Sequence, residues 1–429
     1  IEDGRIAAMG AKAPARDGAS GAQVIQARGL VACPGFIDIH CHLREPGQEH
    51  KETIATGTLA AARGGFTTVC CMPNTLPAID SVQVVEYVQR VAREQGAVRV
   101  YPIGAITKGR AGVELSEMAA LASAGVVGFS DDGNAVADAN LMRLALTYAL
   151  DTGLPLMEHC EDPSLVAGGV MNEGWVATRL GLRGVPASSE EALVARDIAL
   201  AEQTGGRLHI CHISTAGAVE LVRRARDRGL RVTAEVTPHH LTITDEWVAG
   251  APEGAWAPLG LRAYDTSTRV NPPLRTRRDA EALAQALAEG VIDCVATDHA
   301  PHDSVSKATT YQEAAPGLSV LETALGSLMS LVHGGKLTLP VLVERLTLGP
   351  DRVMGGRFAD LATLKPGTPA DITLFDPDSE WVVDTGQFAS KGHNTPLEGV
   401  TLKGKVMATI VGGALKYSDT NIKLAASRD

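Results

Sequence analysis

Apolar positions through the middle of the chain fall into short, dense runs separated by stretches with helical spacing. The runs cover residues 35–40, 66–72, 98–106, 125–130, 154–159, 207–213, 231–237 and 291–297. Runs of that length, rich in β-branched residues and bounded by turn residues, read as buried strands. The intervening segments read as helices. In 189–205, Ser188 and Glu191 have capping-box spacing, Leu193, Val194 and Ile198 supply an apolar face, and Gly205-Gly206 ends the segment. Eight strand–helix units between residues 34 and 364 predict an α/β fold, a (β/α)8 TIM-type barrel, which needs ~250 residues or more. A doubly wound open sheet is the rival. No glycine-rich dinucleotide fingerprint follows the first run, which speaks against it.

The ends of the chain carry a different pattern. Asp3-Gly4 between apolar residues is a hairpin signal. The stretches 365–375 and 404–413 read as short strands with turns. Residues 1–33 and 365–429 are therefore expected to pair into one small β-sandwich-like domain, its N-terminal part incomplete, beside the barrel of 34–364.

Composition narrows the function. The 429 residues carry a formal net charge of -11 and no run of Lys and Arg, which argues against nucleic acid and membrane surfaces as partners. No apolar run reaches the length of a membrane span. The chain opens at Ile1 without a basic-then-apolar leader and is read as a cytoplasmic protein whose first residues precede this sequence. Its seven cysteines are odd in number and scattered, which suits reduced core thiols better than a disulfide framework.

Chemistry concentrates where the strand-like runs end. The first ends in His40-Cys-His42, the fourth in Asp131-Asp132-Gly133, and the fifth in Glu158-His159-Cys160-Glu161-Asp162. The sixth contains His209-Ile-Cys-His212, and the eighth ends in Thr297-Asp298-His299-Ala-Pro-His302. C-terminal strand ends of a barrel open onto one face, so residues far apart in sequence converge there. Imidazoles with carboxylates suit zinc or a similar metal. In His40-x-His42 the period of an extended segment aims both rings the same way. A lone histidine is more often a core residue than a ligand, but that reading does not account for a coincidence at five strand ends. His209, His239 and His240 are read as core or supporting residues. Cys41, Cys160 and Cys211 are read as facing the packing layer.

The segment Pro34-Gly-Phe-Ile-Asp-Ile-His-Cys-His-Leu-Arg-Glu-Pro-Gly47 resembles the opening of the amidohydrolase superfamily, in the form typical of class I dihydroorotases. Met72-Pro-Asn-Thr75, Asp131-Asp-Gly133, Glu158-His-Cys-Glu-Asp162, Cys211-His-Ile-Ser-Thr215, Thr237-Pro-His-His240, Val270-Asn-Pro-Pro-Leu-Arg275 and Thr297-Asp-His-Ala-Pro-His302 extend the likeness over nearly the whole chain. The resemblance implies zinc, one or two ions and two favoured. His40, His42 and Asp298 would hold one ion, and His159 and His212 the other. Asp132 would bridge them, where hydantoinase relatives use a carboxylated lysine. It further implies that Arg44, Asn74, Asn271 and His302 hold substrate and that Asp298 moves the proton.

The implied activity is reversible, zinc-dependent interconversion of dihydroorotate and N-carbamoyl-aspartate. Hydantoinase, dihydropyrimidinase and allantoinase share the site and are the alternatives, together with a non-catalytic scaffold for aspartate transcarbamoylase. A homodimer and a transcarbamoylase complex are the expected assemblies. The sequence departs from the family in the loop 303–318, which lacks a Glu-Glu-Lys-like stretch and an aromatic after Pro316, and in a shorter N-terminal strand pair.

Overall fold

The computed structural model describes residues 1–10, 23–250 and 259–425. The strand Phe36–Cys41 pairs in parallel with Phe66–Cys71, which pairs in parallel with Arg99–Pro102. A second parallel sheet runs in the order Leu156–Glu158, Leu208–Ile210, Val232–Val236, Cys294–Val295. Single parallel bridges join the two sheets on both sides. Phe129 bridges Gly104 and Leu156, and Cys41 bridges His299.

Seven of the eight expected runs contain a strand. The run 125–130 does not, although its main chain bonds on both sides. Val127 N donates to Pro102 O, and Met157 N donates to Phe129 O. Gly125 ends the preceding helix in the left-handed region at φ 103°, and Phe129 alone of this run forms bridges, to Gly104 and Leu156.

Helices cover the parallel strands, and their caps follow local chemistry. Thr53 and Thr56 form a capping box on the helix Ile54–Arg63, as do Thr276 and Asp279 on Arg277–Glu289. The expected box at Ser188 and Glu191 is absent. That helix runs Ser188–Thr204 with Ala187 at its N-cap and no side-chain cap bond. Its first turn closes on Ala187 O, and Glu190 turns away to bind the Ser214-Thr215 main chain. Gly205 ends it in the left-handed region as expected.

The two chain ends meet. Ile372–Val382 pairs antiparallel with Val31–Pro34 and with Thr401–Val411, which pairs with Ala414–Ser418. Val24–Gln26 pairs with Lys423–Ala425. Asp3-Gly4 and Gly412-Gly413 supply paired positive φ angles at tight turns, the geometry of two-residue hairpins. Residues 11–22 and 426–429 of the expected terminal domain, and 251–258 of the central region, lie outside the described residues. Among the described residues, no helix is long and apolar enough to cross a membrane.

Candidate functional site

Asp38 sets the first strand end beside the last. Its carboxylate accepts from Thr297 N at 2.9 Å, Thr297 Oγ1 at 2.5 Å and His40 N at 3.2 Å. His40 O accepts from Asp298 N, and His299 O accepts from His42 N. Asp131 does similar work nearby, accepting from Ile106 N and Thr107 N. Its neighbour Asp132 faces the histidines.

The six expected ligands meet in one buried cluster. Asp132 Oδ1 lies 3.5 Å from His40 Nε2, 3.3 Å from His159 Nδ1 and 3.2 Å from His212 Nε2. Asp132 Oδ2 lies 3.5 Å from His42 Nε2. Asp298 Oδ1 lies 2.9 Å from His42 Nε2 and 3.6 Å from His40 Nε2. Two donor groups able to hold a metal ion follow, His40 with His42 and Asp132, and Asp132 with His159 and His212. Asp132 belongs to both.

The outer ring nitrogens of His40, His42 and His159 are engaged, which fixes the inner ones as lone-pair donors. His40 Nδ1 donates to Glu235 Oε1 at 2.6 Å, His42 Nδ1 to Asn74 Oδ1 at 2.8 Å, and His159 Nε2 to Glu161 Oε2 at 3.1 Å. His40 Nε2 is fully buried with no hydrogen-bond partner. A buried polar atom without a partner is costly, and a metal ion answers that cost. Electrostatics agree. Burial opposes ionisation of Asp132, but the His40, His159 and His212 rings outweigh it and hold its carboxyl well below the usual range. Burial likewise opposes charge on His159, yet Asp132 and Glu161 raise it to about 10. A field that holds protons on buried imidazoles also holds a cation.

Three site residues sit in the left-handed region, Arg44 at φ 62°, His212 at φ 33° and Asp298 at φ 45°. Such positions cost of order ~1–3 kcal/mol each and persist where the surroundings over-determine them. Around His212 that support comes from Glu190, which accepts from Ser214 N and Thr215 N, and from Arg275, whose Nε donates to Ser214 Oγ.

A cavity of about 180 Å³ opens onto the cluster. His42, Asp132, His159, His212 and Asp298 form its floor, while Arg44, Asn74, Asn271 and His302 line it with Val270, Pro316 and Gly317. His40 lies beneath, with no exposed surface. Arg44 is buried, not a surface residue paired with Glu45. Its Nε donates to Pro301 O and its Nη2 lies 3.5 Å from His302 Nε2. Glu45 instead accepts from Ile54 N and Tyr87. Among the described residues, no carboxylate pairs with Arg44, and burial draws its pKa down to about 10. His302 is held neutral by burial and by Arg44, at about 2. The atypical loop is tied down. Lys307 Nζ donates to Thr266 O, and Arg269 Nη1 donates to Tyr311 O.

Glu235, Glu161 and Asn394 were not expected at the site. Asn394 Oδ1 accepts from His302 N, and its Nδ2 donates to Ala300 O and Gly317 O, bracing the cavity wall. His209 takes a supporting role, with Nε2 3.1 Å from Glu235 Oε2 and Nδ1 2.9 Å from Thr233 Oγ1. His240 bonds Thr237 and Pro272 O, whereas both ring nitrogens of buried His239 lack a partner. All seven cysteines are buried and free. Cys211 departs from its expected direction, since its sulfur lies within 4.8 Å of ligand atoms of His40 and Glu235. It still packs among apolar residues such as Ile37 and Met157.

A family model described as dihydro-orotase-like matches residues 29–218. A dihydroorotase from Pelotomaculum thermopropionicum is 53% identical, over 99% of this chain and 94% of that protein. One from Thermoanaerobacter sp. is 50% identical over 92% and 88%, and one from Geobacter metallireducens 46% over 97% and 94%. Among solved structures, L-hydantoinase (dihydropyrimidinase) from Arthrobacter aurescens matches with a TM-score of 0.84 at 24% identity, over 97% of this chain and 91% of that one. Dihydropyrimidinase from Brevibacillus agri matches with a TM-score of 0.82 at 24% identity, over 100% and 92%. The structural matches establish a shared fold.

Proposed function

The chain belongs to the dihydroorotase family, and on that premise we propose that its histidine–carboxylate cavity interconverts (S)-dihydroorotate and N-carbamoyl-L-aspartate, a step of de novo pyrimidine biosynthesis toward UMP. The observation that carries this reading is Arg44, a buried guanidinium in the cavity wall without a carboxylate partner among the described residues. Dihydroorotate differs from dihydrouracil by one ring carboxylate. A guanidinium fork matches that group with two parallel hydrogen bonds. Asn74, Asn271 and His302 stand around the same space.

Zinc is the metal in this reading, since imidazole and carboxylate without thiolate suit it. His40, His42 and Asp298 would hold one ion, His159 and His212 a second, with Asp132 shared. Bound there, the ions lower the pKa of water and polarise a carbonyl. Asp298 takes the proton of the attacking water and delivers it to the ring nitrogen as the amide C–N bond breaks. Opening creates a carboxylic acid that ionises, so acid favours closure. The engaged amide oxygen of Asn74 leaves its N–H groups for substrate.

The closed run of parallel pairings supports a (β/α)8 barrel over residues 34–364, with 1–33 and 365–429 as a small β domain. Seven buried free cysteines favour a reducing, cytoplasmic setting. The reading extends to a homodimer and to a complex with aspartate transcarbamoylase, each testable by sedimentation.

The deciding experiment compares dihydroorotate, hydantoin, dihydrouracil and allantoin as substrates, with metal content measured on the same sample. Turnover of dihydroorotate well above the others is expected. Preference for hydantoin or dihydrouracil overturns the substrate assignment. Silence toward all four in a metal-loaded sample favours the scaffold alternative.

A further inference from the structure

We propose that the N-terminal ends of the parallel strands carry a second binding site, for the phosphate group of a small metabolite, built from Arg207, Arg226, Arg231 and Arg352. These arginines line a cavity of about 400 Å³ together with Thr233 and Gly229. Arg207 immediately precedes the strand Leu208–Ile210, and Arg231 precedes Val232–Val236. His212 follows the first of these strands, so the two cavities lie at opposite ends of the same sheet.

Four guanidinium groups in one concavity are unexpected on a chain of net charge -11. Two have carboxylate partners already. Arg226 pairs with Asp293, and Arg352 pairs with Glu344. Arg207 and Arg231 have none among the described residues. Arg207 donates to Gly153 O and Val353 O, and Arg231 donates to Gly205 O. Those main-chain bonds hold the two side chains in place, and each guanidinium has further N–H groups to donate. Gly355 helps, because a Cβ there would lie 2.9 Å from Arg207 Nη1. Burial and the nearby Arg231 both depress the Arg207 pKa, a like-charge strain that an anion relieves.

The ligand chemistry follows from charge and shape. Two uncompensated positive charges match a phosphate monoester, which carries about -1.5 to -2 near neutral pH. More than one fork in a single cavity suits a tetrahedral oxyanion better than a planar carboxylate, which one fork satisfies. The cavity is larger than the ion itself, leaving room for the group that carries the phosphate.

Isothermal titration of the metal-loaded enzyme at constant ionic strength tests this, with inorganic phosphate, ribose 5-phosphate and ribose as probes. Saturable binding of a phosphate-bearing probe, and none of ribose, is expected. Tighter binding of ribose 5-phosphate identifies an esterified phosphate, and tighter binding of inorganic phosphate identifies the free ion. The double substitution R207Q/R231Q should weaken binding at least tenfold, while Arg44→Met should leave it unchanged. Absence of saturable binding, unchanged binding in R207Q/R231Q, or loss of binding in Arg44→Met overturns the proposal, the last because it puts the anion in the substrate cavity. Should the double variant fail to fold by circular dichroism, Arg352→Gln decides. Among the described residues, its side chain bonds Glu344 alone. Several-fold weaker binding there supports the site, and unchanged binding overturns it.

Discussion

The two ends of the parallel strands solve the problem of polar side chains in opposite ways. At the C-terminal ends, His40, Asp132, His212 and Asp298 are all buried, and His40 Nε2 and His212 Nδ1 have no hydrogen-bond partner. At the N-terminal ends, Arg231 and Arg352 are exposed, and the arginines are tied to main-chain carbonyls or carboxylates. Water can complete the second set, whereas His40 Nε2 and His212 Nδ1 are closed to it. A buried polar group left unpaired costs about 1–3 kcal/mol, more when charged. The C-terminal end therefore depends on a guest, and the N-terminal end merely accommodates one.

The sharpest way to break that comparison is to withhold the guest. Chelation should abolish dihydroorotate hydrolysis, and zinc should restore it in step with bound metal. Full turnover in a sample shown to be metal-free would remove the basis of the C-terminal site. Next in size comes Asp298→Asn. A positioned acid–base group contributes ~10²–10⁴-fold to rate. The loss should fall on kcat, with KM changed far less, once zinc content is matched. Near-normal kcat in that variant would take proton transfer away from Asp298.

Arg44→Met sharpens the comparison from inside the C-terminal end, since it removes the buried guanidinium of the substrate cavity wall. Deleting one partner of a buried charge pair costs about 2–5 kcal/mol. KM for dihydroorotate should rise tens- to thousands-fold, zinc content should stay normal, and the preference over dihydrouracil should narrow. Unchanged dihydroorotate kinetics would return the hydantoinase-like reading to contention.

How much of this was legible in the sequence depended on whether a residue's role is set locally. His40 and His42 could be paired from the period of an extended segment, and their rings lie 5.4 Å apart. Strand-end position was enough to gather His159, His212 and Asp298. Arg44 and Asn74 needed the family resemblance, because nothing local distinguishes a buried guanidinium from a surface one. The strand expected at 125–130 is reduced to bridges at Phe129, after a helix that runs up to Gly125, a boundary that hydrophobic pattern does not encode. Ser188 failed because Ala187 starts the helix and Glu190 binds a distant loop. Asn394 was out of reach, since it braces His302 from 92 positions away. Glu235 carries a signal readable in the sequence. It is an acid inside the apolar run Val232–Val236, and a buried acid in a strand must have a partner.

That residue supplies the smallest effect and the finest test, because it stands between the two ends. Glu235 accepts from His40 through Oε1 and lies 3.1 Å from His209 Nε2 through Oε2, and His209 continues to Thr233, which lines the arginine cavity. Burial opposes its ionisation, but the His40 and His209 rings prevail and hold its carboxyl down at about 2. An ionised carboxylate can accept from both rings at once. A glutamine has one accepting oxygen and one donating nitrogen, so Glu235→Gln keeps an acceptor for only one ring, and the other ring must change tautomer or face a donor. If that ring is His40, its tautomer and its aim at the metal are no longer fixed. Partners of this kind typically contribute about 10–100-fold to metal affinity or activity. Zinc affinity, read by competition with a chromophoric chelator, should fall by that factor, while KM at saturating zinc stays close to that of the unmodified enzyme. A variant with unaltered zinc affinity would mean that packing alone orients His40, and that the chain of hydrogen bonds between the two ends is structural filling.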